Sequence, residues 1–323
     1  MSSAIETTAT INPDNGRRPV LVELADGSLC DLTQLDQPAL ARLQLEQERA
    51  FARRFVEHPK GSPQRKAAFR QGYDTITAIF AAANGRTGLP VAMGCDPRYE
   101  RLVVELLARQ RREGMLPALF EVGYGCGALL ACTSRAGFRV GGIEVSPAMH
   151  AQAEAALAGD ACELLLGDFL SEDHASLAGR YTLVFWNDVF EHIPPDEIAD
   201  FLAAIYRMLL PGGQLVTITP NWHMRPSDVT GDFYPPRTTA QGVHLKEYTL
   251  REVTSLLRQA GFTHVATPLF VTRGRMVLAG RGLAPLKRLF EPALERLPFP
   301  LAKLIVRGAG LSCTVASKVR SEK

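Results

Sequence analysis

From Leu116 onward the chain alternates short apolar runs with stretches of helical periodicity, and this constrains the fold more than any other feature of the sequence. The runs fall at 118–122, 139–145, 162–167, 181–186 and 214–218. Between them lie "GALLACTSRAG", "PAMHAQAEAALAG", a loop region and "PPDEIADFLAAIYRMLLPGG". The last carries Ile198, Leu202, Ile205 and Leu209 on one face, with prolines at its start. Strands that are apolar throughout, rather than at every second residue, are buried on both faces, so the expectation is a parallel sheet covered by helices on each side. "HVATPLFVT" and "GLSCTVASKV" then close the sheet, with 274–309 as an amphipathic insertion between them.

Upstream the pattern is different. Residues 1–18 are polar and broken by Pro and Gly, the composition of a disordered terminus. "VLVELADGSLCDL" alternates around Asp26-Gly27 as a tight hairpin does. Two helices are predicted at about 38–58 and 63–83, and "RYERLVVELLARQRREG" makes a third after the turn-rich "GRTGLPVAMGCDPRYE". The expected organisation is therefore a disordered 1–18, a hairpin-and-helix lid at 19–115, and a ligand-binding domain at 116–323. "TLREVTSLLRQAGF" opens with a capping box, Thr249 and Glu252.

A formal charge of +2 gives no strong field for phosphate, which argues against a nucleic-acid partner. Six cysteines, at 30, 95, 126, 132, 162 and 313, form no CxxC pair and no zinc-finger spacing. They read as reduced thiols, and Cys126 as a small residue suited to a tight loop. The first residues lack the basic start and apolar stretch of a secretory signal, and no apolar run reaches membrane-spanning length, so a cytoplasmic protein is expected.

The first apolar run leads into "EVGYGCGALL". A strand, a glycine-rich turn and a helix start present bare amide groups to a ligand at the carboxyl end of the sheet. Glycine is required there because a Cβ would hold the ligand off or forbid the backbone angles. Glu144 ends the second strand beside that loop, where a carboxylate can accept from both hydroxyls of a ribose. Asp168 ends the third strand, within reach of a purine edge. The spacing Gly123-x-Gly125-x-x-Ala128 also satisfies the dinucleotide fingerprint, so it does not by itself choose between nucleoside ligands.

Further residues choose. Glu121 precedes Gly123 to give E-x-G-x-G-x-G through Gly127, "GDF" follows the third strand, and "NDVFEHIPP" follows the fourth. That combination resembles the class I S-adenosylmethionine-dependent methyltransferases, and most of all the small-molecule group that includes the ubiquinone-biosynthesis O-methyltransferases. The resemblance spans roughly residues 116–272. It implies a Rossmann-like, seven-stranded α/β sheet with one antiparallel edge strand, extended by N-terminal helices and a C-terminal helical insertion. It also implies S-adenosyl-L-methionine as cofactor. Glu121, Gly123, Gly125 and Gly127 would meet its methionine end, Glu144 the ribose, Asp168 and Phe169 the adenine, and Asn187 and Asp188 the floor beneath the sulfonium.

Methyl transfer from a sulfonium is an in-line displacement, in which the protein aligns the partners and excludes water. A base helps only where the acceptor is a neutral hydroxyl or a protonated amine. Three histidines after strands four and five are candidates: His192 in "FEHIPP", His223 in "TPNWHMRP" and His244 in "HLKEYT". His223 and His244 are favoured as base, and His244 and Tyr248 would share a face if the following helix began early. Each has a structural alternative, in which the ring ties loops together. Asp188 and His192 are also four apart, an acid–base pair in spacing. As a metal site they lack a third ligand, so no metal is expected.

Arg53, Arg54, Lys60, Arg65 and Lys66 are placed either to hold an anionic substrate or to solvate a helix face. The basic, proline-interrupted stretch at 284–307 suits three partners: an anionic membrane touched peripherally, the acceptor pocket, or a second subunit in a homodimer. The expected function is methyl transfer to an oxygen or nitrogen of a small metabolite or lipid-like acceptor. The alternatives are an NAD(P)-dependent oxidoreductase, a cofactor-binding regulatory subunit, and non-methyl chemistry on the same cofactor.

Overall fold

The computed structural model describes residues 19–87, 96–171, 174–278 and 283–320. The predicted disordered terminus and most of the linker before Asp96 lie outside them. The chain begins with a hairpin, β1 (Leu21–Glu23) and β2 (Leu29–Asp31), turning at Gly27 in the left-handed region. Helices α1 (Gln37–Glu57), α2 (Pro63–Thr87) and α3 (Pro97–Arg112) follow. Asp36 and Asp96 cap α1 and α3, each accepting from an amide in the first turn of a helix that carries a proline near its start.

Then comes the alternation: β3 (Ala118–Val122), α4 (Ala128–Arg135), β4 (Arg139–Glu144), α5 (Pro147–Ala156), β5 (Cys162–Leu166), α6 (His174–Leu177), β6 (Tyr181–Asn187), α7 (Ile198–Met208) and β7 (Leu209–Ile218). After a long loop come α8 (Leu250–Gln259), β8 (Thr263–Ala266), β9 (Pro268–Val271), β10 (Met276–Leu278), α9 (Leu283–Phe290), α10 (Phe299–Gly308) and β11 (Cys313–Ser317). Seven strands form one sheet in the order β5-β4-β3-β6-β7-β11-β8.

Both faces of this sheet are covered, and consecutive residues of one strand show it. Phe120, Val184 and Trp186 enter one core with Leu202 and Ile205 of α7 and Leu257 of α8. Their neighbours Leu119, Leu183 and Phe185 enter the other, with Leu106 of α3 and Leu130 of α4. Helix α3 thus packs into the body of the sheet, whereas the sequence grouped it with the lid. Covering so many large side chains contributes roughly 1.5–3 kcal/mol for each.

Two expectations about the sheet need correction. The antiparallel strand is β11, and it lies between β7 and β8, bonded antiparallel to both, so the edge strand is β8. "HVATPLFVT" is also two strands. Pro268 has no amide to donate, and the chain leaves the main sheet there; β9 pairs with β10 as a separate hairpin, so the departure begins before residue 274.

Helices α1 and α2 pack together at the carboxyl end of the strands. Phe51 and Phe55 of α1 are fully buried, and Phe55 stacks on Phe69 of α2 with centroids 4.0 Å apart. Arg65 of α2 reaches Asp196 at 3.0 Å and the buried Glu197 at 2.7 Å, fastening the pair to the segment before α7. No described helix is long and apolar enough to cross a membrane.

Candidate active site

One cavity of about 730 Å³ opens where β3, β4, β5 and β6 end, a volume suited to a drug-sized ligand or larger. Its floor is the turn after β3. Gly123 and Gly125 have φ of +71° and +53°, angles that strain any residue with a side chain. A Cβ on Gly123 would stand 2.6 Å from Cγ2 of Val189, while one on Gly125 would project into open space. The first glycine therefore lets two loops approach, and the second keeps the backbone bare.

Glu144 joins this turn to the end of β4. Its Oε2 accepts from the Gly125 amide at 2.9 Å, and its Oε1 from the amides of Val145 and Ser146 at 2.8 and 2.9 Å. A carboxylate has about four acceptor positions, so one on Oε2 remains for a ligand hydroxyl. Burial pushes the Glu144 pKa up, against the pull of these amides.

Glu121 lies on β3 in the same wall, 6% exposed, with Oε2 buried and unpartnered. Burial and the Glu144 charge push its pKa well up. A buried carboxylate oxygen without a donor has a place for a cationic ligand group such as an ammonium. Asp168 and Phe169 line the far end, Phe169 stacked on Phe201 at 5.2 Å. Asn187 and Asp188 line the middle, where Asn187 donates to Asp188 at 2.9 Å and Asp188 takes a φ of 51°. Gly127 precedes α4 in the left-handed region and packs on Ala153 rather than facing the cavity.

The roof comes from α2 and the turn before it. Lys60, Arg65, Lys66, Phe69, Tyr73 and Thr77 all line the cavity. The sequence pointed to the lid but not to Phe69, Tyr73 or Thr77, whose four-residue spacing on one helix face was the available signal. The basic run is spoken for: Arg65 is paired as above, Lys60 with Asp200, and Lys66 lies 3.8 Å from Asp168. These pairings fasten the roof to the body.

The three histidines separate. His192 is the only histidine among the described lining residues. Its Nδ1 meets the Val243 carbonyl at 3.0 Å, and since a carbonyl can only accept, Nδ1 is the donor. Burial, with His244 nearby, depresses its pKa to about 3. Asp188 is hydrogen-bonded elsewhere, so the spacing of four residues does not become an acid–base pair.

His244 stands behind His192, ring centroids 4.8 Å apart, with Nδ1 3.2 Å from Glu247 and Nε2 4.0 Å from Oε1 of Glu191. Burial opposes its charge, but the Glu247 hydrogen bond and the Glu191 carboxylate prevail and raise its pKa. Glu191 is fully buried; desolvation and the charge of Asp188 push its pKa up. The following helix begins at Leu250, capped by Thr249 with Glu252, so His244 and Tyr248 do not share a helical face. Glu191 sits inside "FEH", and nothing in the local sequence marks it, because the partner that reveals its part in the cluster is distant along the chain.

His223 is elsewhere. Its Nδ1 is 3.0 Å from Oε2 of Glu295, which also holds Arg225, and Arg225 stacks 3.8 Å over the Trp222 ring. This clasp joins the loop after β7 to the C-terminal insertion. Asn221 reinforces it by donating to Glu291, which accepts from the first amides of α8. His223 is not among the described residues that line the cavity, and its Nδ1 is engaged by Glu295.

A family model described as a methyltransferase domain matches residues 95–267. No curated protein matches the chain. Solved structures that resemble it include the chain determined with the Trm112 methyltransferase activator of Haloferax volcanii. That likeness has 16% identity and a TM-score of 0.50, over 77% of this chain and 98% of that one. The phospholethanolamine N-methyltransferase 2 of Haemonchus contortus gives 16% and 0.49, over 78% and 60%. The 1,6-didemethyltoxoflavin-N1-methyltransferase of Burkholderia thailandensis gives 20% and 0.48, over 82% and 93%.

Proposed function

The chain belongs to the methyltransferase domain family, and on that premise we propose that it methylates an oxygen or nitrogen of a small, flat, largely apolar acceptor held beneath α2. Its cofactor is S-adenosyl-L-methionine, whose sulfonium supplies an electrophilic methyl and departs as a neutral thioether. The observation that carries the reading is the single cavity joining the bare turn at Gly123 and Gly125 to the aromatic roof and His192.

In this reading the unpartnered Glu121 oxygen receives the cofactor's ammonium, and Glu144 uses its remaining acceptor position for a ribose hydroxyl. Phe169 packs on the adenine, with Asp168 at its edge. Asn187 and Asp188 line the middle of the cavity, and Phe69 and Tyr73 hold the acceptor and exclude water. Neutral His192 offers Nε2 as an acceptor for a hydroxyl proton. The likeness of "NDVFEHIPP" to the ubiquinone-biosynthesis O-methyltransferases favours oxygen as the acceptor atom. Residues 19–87 form the lid and the following residues the cofactor-binding body.

The outer faces of α9 and α10 leave Leu286, Leu289, Phe290, Leu301 and Leu304 exposed in a basic segment, which supports peripheral contact with an anionic membrane. Co-sedimentation with anionic liposomes tests it, and no binding at low salt refutes it. For the main reading, calorimetric titration with S-adenosylhomocysteine and NADH is decisive. Tight binding of the first alone is expected; binding of NADH alone would overturn the proposal.

A further inference from the structure

We infer that Arg251 and Arg258 of α8, with Arg288 of α9, form a binding site for a phosphate monoester on a face of the protein apart from the cavity. The three guanidiniums line one groove of about 460 Å³ together with Thr254, Ser255 and Gln259. None of these residues lines the cavity beneath α2. Arg251, Ser255 and Arg258 recur at intervals of four and three, so α8 turns all three to one side. Arg251 and Arg258 are exposed, and Arg288 is half-buried where α9 meets them.

The groove gathers cations without counter-charges. Arg65, Arg180 and Arg225 elsewhere in the molecule each pair with a carboxylate, and none of these three does so among the described residues. Nη1 of Arg288 is buried and has no hydrogen-bond partner. Burial, then Arg258 and Arg251, press the Arg288 pKa down, and the charge of Glu291 opposes them. Glu291 is committed to the start of α8: Oε1 accepts from Asn221 at 2.9 Å and from the Leu250 amide at 2.6 Å, and Oε2 from the Arg251 amide at 3.1 Å. The Arg251 side chain is itself drawn to α9, donating to the Arg288 carbonyl at 3.3 Å. Like charges held together repel, and an anion between them turns that repulsion into attraction.

The donors select the anion. A guanidinium presents paired N–H groups in a fixed plane, matched to the oxygens of phosphate or carboxylate. Ser255 accepts from Gln259 at 3.2 Å and keeps its own proton to donate. Three guanidiniums and a hydroxyl suit the three terminal oxygens and near-double charge of a phosphate monoester better than the two oxygens and single charge of a carboxylate. With a formal charge of only +2 on the whole chain, the attraction belongs to this groove and not to the surface at large. Arg288 shares α9 with the exposed Leu286, Leu289 and Phe290, so the phosphate has two sources, a free monoester and a lipid headgroup. The site does not rest on the proposed methyl transfer.

The test is calorimetric titration of the full chain with inorganic phosphate at low salt, beside flotation with phosphatidylcholine vesicles containing phosphatidic acid. One phosphate per chain is expected, and Arg258→Gln and Arg288→Gln should each weaken binding by about 10-fold or more. Vesicle binding that both variants lose, without heat from free phosphate, would uphold the site and assign it to a lipid headgroup. Melting curves supply a second readout. Phosphate should raise the melting temperature of the wild type and not of the variants. Without phosphate the variants should melt no lower than wild type, since a repelling charge has gone, whereas arginines with a purely structural part would leave them less stable. Wild-type protein that binds neither phosphate nor the vesicles would overturn the site. Folded variants that bind as wild type does would overturn it too.

Discussion

Two histidine–carboxylate clusters follow β6 and β7, and they have opposite relations to the cavity. His192 stands at its wall with His244, Glu191 and Glu247 behind it, and Oε1 of Glu191 takes no hydrogen bond from the described residues. His223, Arg225 and Glu295 stand away from it, with Glu295 accepting from both partners. Residue type is the same in both. What differs is whether the acceptors find donors within the protein: the satisfied cluster is a fastening, and the unsatisfied one has capacity left for a ligand.

The strongest way to break this comparison is to exchange the effects of the two sites. His192→Ala should lower turnover by about 100-fold or more, the range for loss of a general base acting on the acceptor, whereas Glu295→Gln should change it only a few-fold. Turnover measured under saturating cofactor decides; a larger loss at Glu295 would reverse the assignment. Glu121→Gln sharpens the contrast from the cofactor side. Loss of one charge-assisted bond, about 1.5–3 kcal/mol, should weaken S-adenosylhomocysteine binding by roughly 10- to 150-fold in a calorimetric titration.

The clasp, in turn, should show itself in stability. Arg225→Ala removes the stacking on Trp222 and the bonds to Glu295, with an expected cost of about 1–3 kcal/mol in denaturant unfolding and cofactor affinity unchanged. The smallest effect is one of pH. Arg225 holds the Glu295 pKa down at about 2, against an ordinary 4.5, with partial burial opposing and His223 assisting. A carboxyl depressed in the folded state contributes stability above its unfolded pKa and loses it as pH falls toward the folded value. The stability difference between wild type and Glu295→Gln should be flat above about pH 4.5 and shrink toward pH 2. A difference that grows on acidification would refute the clasp.

Much of the parallel body was legible because its strands are apolar at consecutive positions, as Leu119-Phe120 and Leu183-Val184 are, and runs of that kind are stable only where helices cover both faces. The glycine turn and Glu144 were legible for a related reason, since backbone angles and a strand-end carboxylate are local properties. The place of β11 was not, because pairing partners of a strand depend on chain that is distant in sequence. Nor was the separation of His223 from His244. Both stand in polar loops, and only Glu295, 72 residues beyond His223, and Glu191, 53 before His244, tell them apart.

The roof over the cavity has one more consequence. Phe69, Tyr73 and Thr77 belong to α2, which lies before the span that the family shares, 95–267, while Glu121, Glu144 and the glycine turn lie within it. In the proposed function, donor handling and acceptor choice are thus written in separate stretches of polypeptide. On that proposal, remodelling the amino-terminal helix changes what is alkylated while leaving the machinery that carries the methyl untouched.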